Sequence, residues 1–420
     1  MILDRNLILF TQVFPYGIGE SFLEEEIKYL SNNFKTVTIV TSKKSIKKRI
    51  LPDNAKVVFC NDYNGSNVNK LKHFIKLFFS LFLSEVLRFK NWKYFLKRTN
   101  INYLINSTSN ASKIYTFLMK YIDNKNKTFD SLYLYTYWWL DESIAIALLK
   151  KKHPKIKAFT RCHGYDVYFE RAKGKYLPYK YFTLKYLDRV FPISKNAINY
   201  IENNYPLSNY FPNKLSLSQL GVIEGSLSLE KTGDKDVFTI VSCSQIYPNK
   251  RLELIYNSII KLNYKVKWIH LGSYIENFSE DYYEELIKNI KVSPENIEID
   301  FKGKLLNFEI LDFYKKNYID LFINLSYSEG LPVSIMEAMS YSIPALATNV
   351  GGVSELVNDD NGILVARDSI AEEITSDILK FLELNTNLVI EKRKAAYNTW
   401  INKFNSKINY NKFINEINNL

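Results

Sequence analysis

The chain has little of the chemistry that staples small proteins together. Three cysteines in 420 residues, Cys60, Cys162 and Cys243, are far apart and odd in number, which argues against a disulfide framework and fits a reducing interior. Its four histidines, His73, His153, His163 and His270, are scattered, and no Cys/His spacing of the zinc type occurs, so no protein-ligated metal is expected. There is no run of about 18 uninterrupted apolar residues, which argues against a membrane-spanning helix. Residues 1–10 lack the basic region, long apolar core and small-residue cleavage site of a secretory leader and read instead as the first buried strand. The expected location is therefore cytoplasmic, free or peripheral to a membrane. Internal repeats and low-complexity tracts are also missing.

What is present is ordinary for a globular enzyme. Hydrophobic residues make up 46% and charged residues 24% of the chain, which excludes wholesale disorder. A length of 420 residues is long for one domain and comfortable for two. The net charge is +12, with positive residues concentrated from Lys70 through Lys72, Lys76, Arg88, Lys90 and Lys93 to Lys97 around a greasy helical pattern. Such a segment suits an anionic membrane interface, or equally a core helix with solvated lysines. No RNA- or DNA-binding signature accompanies the charge, so no nucleic-acid partner is expected.

Short apolar runs alternate with helix-length segments along the whole chain, the pattern of doubly wound α/β sheets. In the first half the strand candidates are Leu7–Phe10, Val37–Val40, Val57–Phe59, Leu132–Tyr135, Ala158–Thr160 and Val190–Ile193. A second series comprises Val237–Ser242, Val266–Leu271, Ile297–Phe301, Leu321–Ile323, Ala345–Ala347 and Gly362–Val365. The expected division is an N-terminal Rossmann-like domain at 1–220 with a helical insertion at about 66–125, and a linker at 221–236. A second Rossmann-like domain follows at 237–390, then a terminal helical segment at 391–420. Ligands of open α/β sheets bind outside the carboxyl ends of the strands, so two such lobes facing each other would line a cleft.

The most informative stretch is Tyr327-Ser328-Glu329-Gly330-Leu331-Pro332-Val333-Ser334-Ile335-Met336-Glu337-Ala338. The run Asp320–Leu325 before it reads as a buried parallel strand, and Pro332 suits the first turn of a following helix. Glu329 would then sit at the strand's carboxyl end. The free N–H groups and positive dipole end of that helix would favour a phosphate, and a glutamate on each side could accept hydroxyl donors. That combination suits a nucleotide sugar, a diphosphate flanked by two polyols.

This run resembles the retaining glycosyltransferases of family 4, whose signature is two glutamates separated by seven residues. The surrounding Glu329-Gly330-Leu331-Pro332, Glu337-Ala338-Met339, Ile343–Thr348, Gly351-Gly352 and Asn361-Gly362 match as well. The resemblance implies the GT-B fold, two Rossmann-like domains facing across a cleft, the first on the acceptor side and the second binding the nucleotide sugar, with the terminal segment crossing back onto the first. It implies that Glu329 contacts the transferred sugar, that Gly330, Leu331, Pro332 and Val333 hold sugar and phosphate oxygens through their amides, and that Glu337 binds the nucleotide ribose.

Three further places follow strands. Gly17 and Gly19 would let backbone approach a ligand closely, and the family has a glycine-rich loop there near donor phosphates and acceptor. His163 in His163-Gly164-Tyr165-Asp166 matches a family position close to the reacting sugar, which it would contact by ring or backbone. Asp166 would hold His163 or act at the acceptor. In Ser244-Gln245-Ile246-Tyr247-Pro248-Asn249-Lys250-Arg251, Lys250 would neutralise the departing diphosphate. Many relatives have Gly-Arg where this chain has Ser244-Gln245, so one phosphate cation is missing, with Arg251 as its candidate substitute.

The resulting expectation is a retaining transferase that moves a sugar from a nucleoside diphosphate to a saccharide hydroxyl without a cofactor. Its acceptor would be a lipid-linked saccharide of bacterial surface polysaccharide. A nucleotide-sugar epimerase or phosphorylase of the same architecture, and a non-catalytic protein that binds sugar nucleotides or tethers a pathway to membrane, are the competing readings.

Overall fold

The computed structural model describes residues 3–17, 19–42, 48–60, 79, 81–82, 85, 97–124, 129–205, 213–223, 225–232 and 234–420. Twelve strands are found among them. In order they are β1 (Leu3–Phe10), β2 (Phe34–Thr41), β3 (Ala55–Phe59), β4 (Leu132–Thr136), β5 (Lys157–Cys162), β6 (Arg189–Pro192), β7 (Phe238–Cys243), β8 (Val266–Leu271), β9 (Ile297–Phe301), β10 (Leu321–Asn324), β11 (Ala345–Thr348) and β12 (Gly362–Val365). Each covers one of the apolar runs read from the sequence. Ends differ by a few residues, because the ladder continues through polar positions such as Thr136 and Asn324 that remain covered on both faces.

The strands form two six-stranded sheets, β3-β2-β1-β4-β5-β6 and β12-β11-β10-β7-β8-β9, with every pair parallel. In each sheet the first three strands are laid out in one direction and the fourth returns beside the first. The order therefore reverses between β1 and β4 in one sheet and between β7 and β10 in the other. Loops leaving the carboxyl ends of two such neighbours diverge to opposite faces and leave a crevice, the usual ligand site of this architecture.

The chain divides into two compact units, residues 1–219 with 410–420, and residues 220–409. In the first, alternate side chains of β1 serve different layers, as the two-residue period of a strand requires. Leu7 and Leu9 pack with Phe413, Ile414 and Ile417, while Ile8 and Phe10 pack with Leu118, Tyr121 and Ile122 of the helix Arg98–Asn124. A buried ion pair ties the layers. Arg161 on β5 lies 3.2 Å from Glu26 of the helix Leu23–Asn33, with both side chains fully buried. Arg161 also donates to the Tyr135 hydroxyl and the Ser218 carbonyl. Desolvation is the largest influence on its charge and opposes it, but Glu26, Tyr135 and Tyr137 together outweigh that and keep the guanidinium protonated.

The stretch read as a linker is packed onto the second unit. Val222 donates to the Phe404 carbonyl, Ser228 to the Ser342 hydroxyl, and Lys231 pairs with Asp320 at 3.0 Å. The terminal segment also stays with that unit longer than expected. Arg393 is buried and donates to the Ser228 and Ile319 carbonyls, and only residues from Tyr410 onward belong to the first unit. Most of the basic segment Lys70–Lys97 lies outside the described residues. Of it, Leu81 is buried in the first unit's core and Glu85 accepts from the Tyr176 hydroxyl. No helix among the described residues is long and apolar enough to cross a membrane.

The ion pair gives a testable consequence. Glu26→Ala leaves the Arg161 charge buried without its counterion, and should destabilise the protein by about 3–5 kcal/mol in urea unfolding, whereas a surface carboxylate such as Glu298 should cost under about 1 kcal/mol.

Candidate active site

In the second unit the two loops at the sheet's reversal point are joined residue by residue. The loop after β7 runs through Ser244–Arg251 and that after β10 through Leu325–Pro332. Tyr327 donates its backbone N–H to the Asn249 carbonyl at 2.8 Å, and the Asn249 amide donates to the Ser328 carbonyl at 3.1 Å. Lys250 Nζ donates to Glu329 Oε1 at 2.5 Å, with the two side chains 17% and 13% exposed. Arg251 Nε donates to the Leu325 carbonyl at 2.5 Å and Nη1 to the Arg367 carbonyl at 2.7 Å. Three consecutive residues thus clasp the loop that carries Glu329.

Arg251, expected as a substitute phosphate cation, is committed to this clasp. Its backbone is left-handed, at φ +50°, its side chain bonds two carbonyls, and its remaining Nη2 is buried. Gln245 is exposed and uncharged. Ser244 is fixed from below by a buried relay. Trp268 Nε1 donates to Ser242 Oγ at 2.9 Å, Ser242 Oγ lies 2.8 Å from His270 Nδ1, and His270 Nε2 lies 3.1 Å from the Ser244 carbonyl. Since a carbonyl only accepts, the proton sits on Nε2. Burial pulls the imidazole down to about 3, so it is neutral.

Glu329 lies outside the helix, in the loop, and Glu337 lies within it. The helix spans Val333–Ser340 with Pro332 as the residue before its first turn, and no side chain caps its N–H groups. Leu331, Pro332 and Val333 turn their side chains inward, so only their backbone could meet a ligand. Glu337 is buried, accepts from Asn307 Nδ2 at 2.6 Å, and is pushed up to about 7 by desolvation. Asn307 starts the helix after β9. It was not singled out from the sequence, although its place beyond a strand's carboxyl end was the available signal. Asn249 was missed for want of any signal beyond its neighbour Lys250.

The paired glycines explain themselves here. Gly351 has φ +56°, and a Cβ on it would stand 2.0 Å from the Glu329 carbonyl oxygen. Gly352 donates to the Gly330 carbonyl at 2.7 Å. The loop bearing Glu329 is therefore held from one side by Asn249–Arg251 and from the other by Gly351-Gly352.

The remaining expected residues belong to the first unit. Gly17 is exposed at φ +66° with open space around it, and a Cβ on Gly19 would stand 2.9 Å from Val13 Cγ2. The neighbouring N–H groups of Gln12, Val13 and Phe14 all donate to Glu20, at 2.9, 2.8 and 2.7 Å, so these three cradle the chain's own carboxylate. His163 is buried, with Nε2 3.0 Å from the Tyr137 carbonyl and its backbone N–H given to Asp166 Oδ1 at 2.9 Å. Burial pulls its ring down to about 4, leaving a neutral imidazole whose Nδ1 accepts. Asp166 also accepts from Gly164 and Trp139 N–H and so braces the loop, including His163, rather than facing a reactant. Among the described residues no three metal-type side chains cluster.

Known proteins resemble this chain where the clasp lies. Residues 228–399 match the model of Glycosyl transferases group 1. Over 162 residues the chain is 32% identical to the O-antigen biosynthesis glycosyltransferase WbnH of Escherichia coli, spanning 36% of this chain and 43% of that protein's length. Among solved structures, a glycosyltransferase from Rickettsia africae superposes with a TM-score of 0.67 at 19% identity, covering 99% of this chain and 98% of its own. Anabaena Alr3699/HepE in complex with UDP gives 0.68 at 14% identity, covering 99% and 100%. The whole-chain likeness is one of fold: two parallel α/β units of the GT-B type. The domain at 228–399 is the part that carries a sequence likeness to group 1 glycosyltransferases.

The clasp predicts a difference between two glycines of positive φ. Gly351→Ala pays backbone strain and collides with the Glu329 carbonyl, while Gly303→Ala at φ +70° meets nothing within 4 Å. Gly351→Ala should lower unfolding free energy by about 1–3 kcal/mol more than Gly303→Ala in urea titration. Equal costs would mean that the glycine pair does not hold the loop.

Proposed function

We propose that the protein is a retaining family 4 glycosyltransferase that transfers a sugar from a nucleoside diphosphate to a hydroxyl of a lipid-linked saccharide in bacterial surface polysaccharide synthesis. The observation that carries this reading is the Lys250–Glu329 ion pair at the reversal point of β7 and β10, beside the uncapped helix start at Val333 and inside the matched domain. The pair places a cation and a carboxylate on one spot, the two charges that a sugar diphosphate asks for.

In this mechanism Glu329 orients the sugar hydroxyls and stabilises positive charge developing at the anomeric carbon. The Lys250 ammonium, held beside Glu329, supplies positive charge to the departing diphosphate. The N–H groups of the first helical turn share that negative charge. The leaving phosphate and the acceptor share one side of the sugar, so the anomeric configuration is kept and no covalent glycosyl-enzyme forms. Glu329 and Glu337 are not read as a hydrolase pair, because that chemistry needs two carboxyls flanking one bond, and here Glu329 lies in the loop while Glu337 lies within the helix. Gln245 leaves Lys250 as the principal side-chain cation for the diphosphate in the clasp. Glu337 accepts the ribose hydroxyls. The O-antigen relative supports the acceptor class, and the basic segment Lys70–Lys97 supports a cytoplasmic enzyme working at an anionic membrane surface.

The test is a panel of nucleotide sugars with crude lipid acceptor, following nucleoside diphosphate release. One donor should give acceptor-stimulated release, and Glu329→Ala should cut it by at least about a hundredfold. Folded protein releasing nothing from any donor would leave only a binding role.

Glu337 adds a pH dependence. Hydroxyls donate to its ionised form, whereas burial holds the empty carboxyl protonated up to about 7. Ligand binding therefore expels a proton, and affinity for the nucleoside diphosphate should rise as pH rises through about 7 and fall below it. Calorimetry from pH 5.5 to 8.5 should show this in the natural protein and a flatter profile in Glu337→Gln, and identical profiles would contradict the ribose role.

A further inference from the structure

The peptide between Ser244 and Gln245 is turned by a side chain that has no part in the mechanism above. His270 Nε2 carries the ring proton and donates it to the Ser244 carbonyl at 3.1 Å. The ring is oriented from behind. Trp268 Nε1 can only donate and takes Ser242 Oγ at 2.9 Å, which leaves the Ser242 hydroxyl proton for His270 Nδ1 at 2.8 Å. Trp268 and His270 are fully buried. Gly272 closes the other side. Its φ is +144°, and a Cβ there would stand 1.8 Å from the Ser244 carbonyl oxygen, so only glycine lets that oxygen come down to the imidazole.

The direction of this carbonyl decides where the next N–H points. The Ser244–Gln245 peptide is trans, so its C=O and N–H point in opposite directions. With the oxygen drawn to His270 on β8, the Gln245 N–H faces away from β8. The flanking residues agree. Ser244 N–H goes to the Leu271 carbonyl at 3.1 Å and Ile246 N–H to the Ser273 carbonyl at 2.9 Å, both on β8 and the loop that leaves it. Successive residues of an extended chain address alternate neighbours, and β7 lies between β8 and β10, so Gln245 addresses the β10 side. There β10 has already ended at Asn324 and its chain has turned into the loop that carries Glu329. The Gln245 N–H therefore points into the crevice between β7 and β10, and it meets no acceptor among the described residues.

An outward N–H at the reversal point, on the loop that carries Lys250, is a donor for an anion. We infer that the Gln245 N–H bonds a phosphate oxygen of the donor diphosphate, and that His270 is the positioning residue that aims it. This rests on the transferase reading above and adds to it the group that stands in for the missing arginine. At position 245 the side chain is neutral, and the backbone does the binding. A hydrogen bond from a neutral N–H to a phosphate is charge-assisted and roughly twice as strong as one between neutral groups. His270 brings no charge of its own, because burial pulls its imidazole down to about 3. Its effect passes through the orientation of one peptide.

The chain has three glutamines, Gln12, Gln219 and Gln245, so 15N-glutamine labelling of the full protein gives three backbone amide signals. The Gln245 signal is identified by its loss in Gln245→Ala. Titrated with UDP, GDP, ADP and dTDP, it should move downfield with whichever binds, and further than the other two. Calorimetry with that diphosphate should find His270→Leu weakened about tenfold, and His270→Gln, whose carboxamide can still donate to the Ser244 carbonyl, close to the natural protein. Affinity for the matching nucleoside should be the same in all three, a split that a merely structural histidine would not produce. Should His270→Leu not fold, Ser242→Ala, which removes the hydroxyl that orients the ring, should show the same split to a lesser degree. Diphosphate binding with the Gln245 amide unmoved, or with undiminished affinity in these variants, would overturn the inference and leave the transferase reading standing. No binding of any diphosphate would end both.

Discussion

The contact on which the functional part of this molecule depends is the Lys250–Glu329 ion pair. It joins the loops that leave the two central strands of the second sheet, and those loops would otherwise diverge to opposite faces. A short, largely shielded charge-assisted hydrogen bond of this kind is stronger than an exposed one, and it fixes direction as well as distance. Around it, bonds with Asn249, Gly352 and the Arg251 guanidinium hold Leu325, Tyr327, Ser328 and Gly330 in place. The helix at Val333 begins where that loop ends, so its N–H groups point from a place that the same contacts determine.

Both units solve the same problem differently. Each is a parallel sheet whose order reverses once, and each gathers its chemistry at that reversal. In the second unit the gathered groups are a lysine, a glutamate and a bare helix start. In the first they are aromatic rings and carboxylates, with a backbone anion cradle that the chain fills with its own Glu20. The charge at the two places therefore differs in kind.

The strands were legible because a parallel strand covered on both faces must be apolar throughout, and runs such as Leu321-Phe322-Ile323 have few other uses. Glu329, Glu337 and Lys250 were singled out from motif context, and the structure brings Lys250 and Glu329 into contact. The supporting contacts were not legible. Arg251 looked like a ligand cation, yet its bonds to the Leu325 and Arg367 carbonyls go with a left-handed backbone that sequence does not announce. The Glu26–Arg161 pair joins residues far apart in the chain, and Glu26 is only one of three acidic residues in the first turn of its helix. The terminal segment was expected to leave the second unit near residue 391, but Arg393, which looks like a surface cation, is buried by two carbonyl bonds and keeps it there.

The measurement that bears most directly on this account is amide hydrogen exchange on the full chain, with and without a nucleoside diphosphate. Slowing confined to residues 244–251, 325–337 and the Asn307 helix start would place the anion on the ion-paired loops. Slowing elsewhere, with those segments exchanging as before, would contradict the assignment of the Lys250–Glu329 clasp as the donor site.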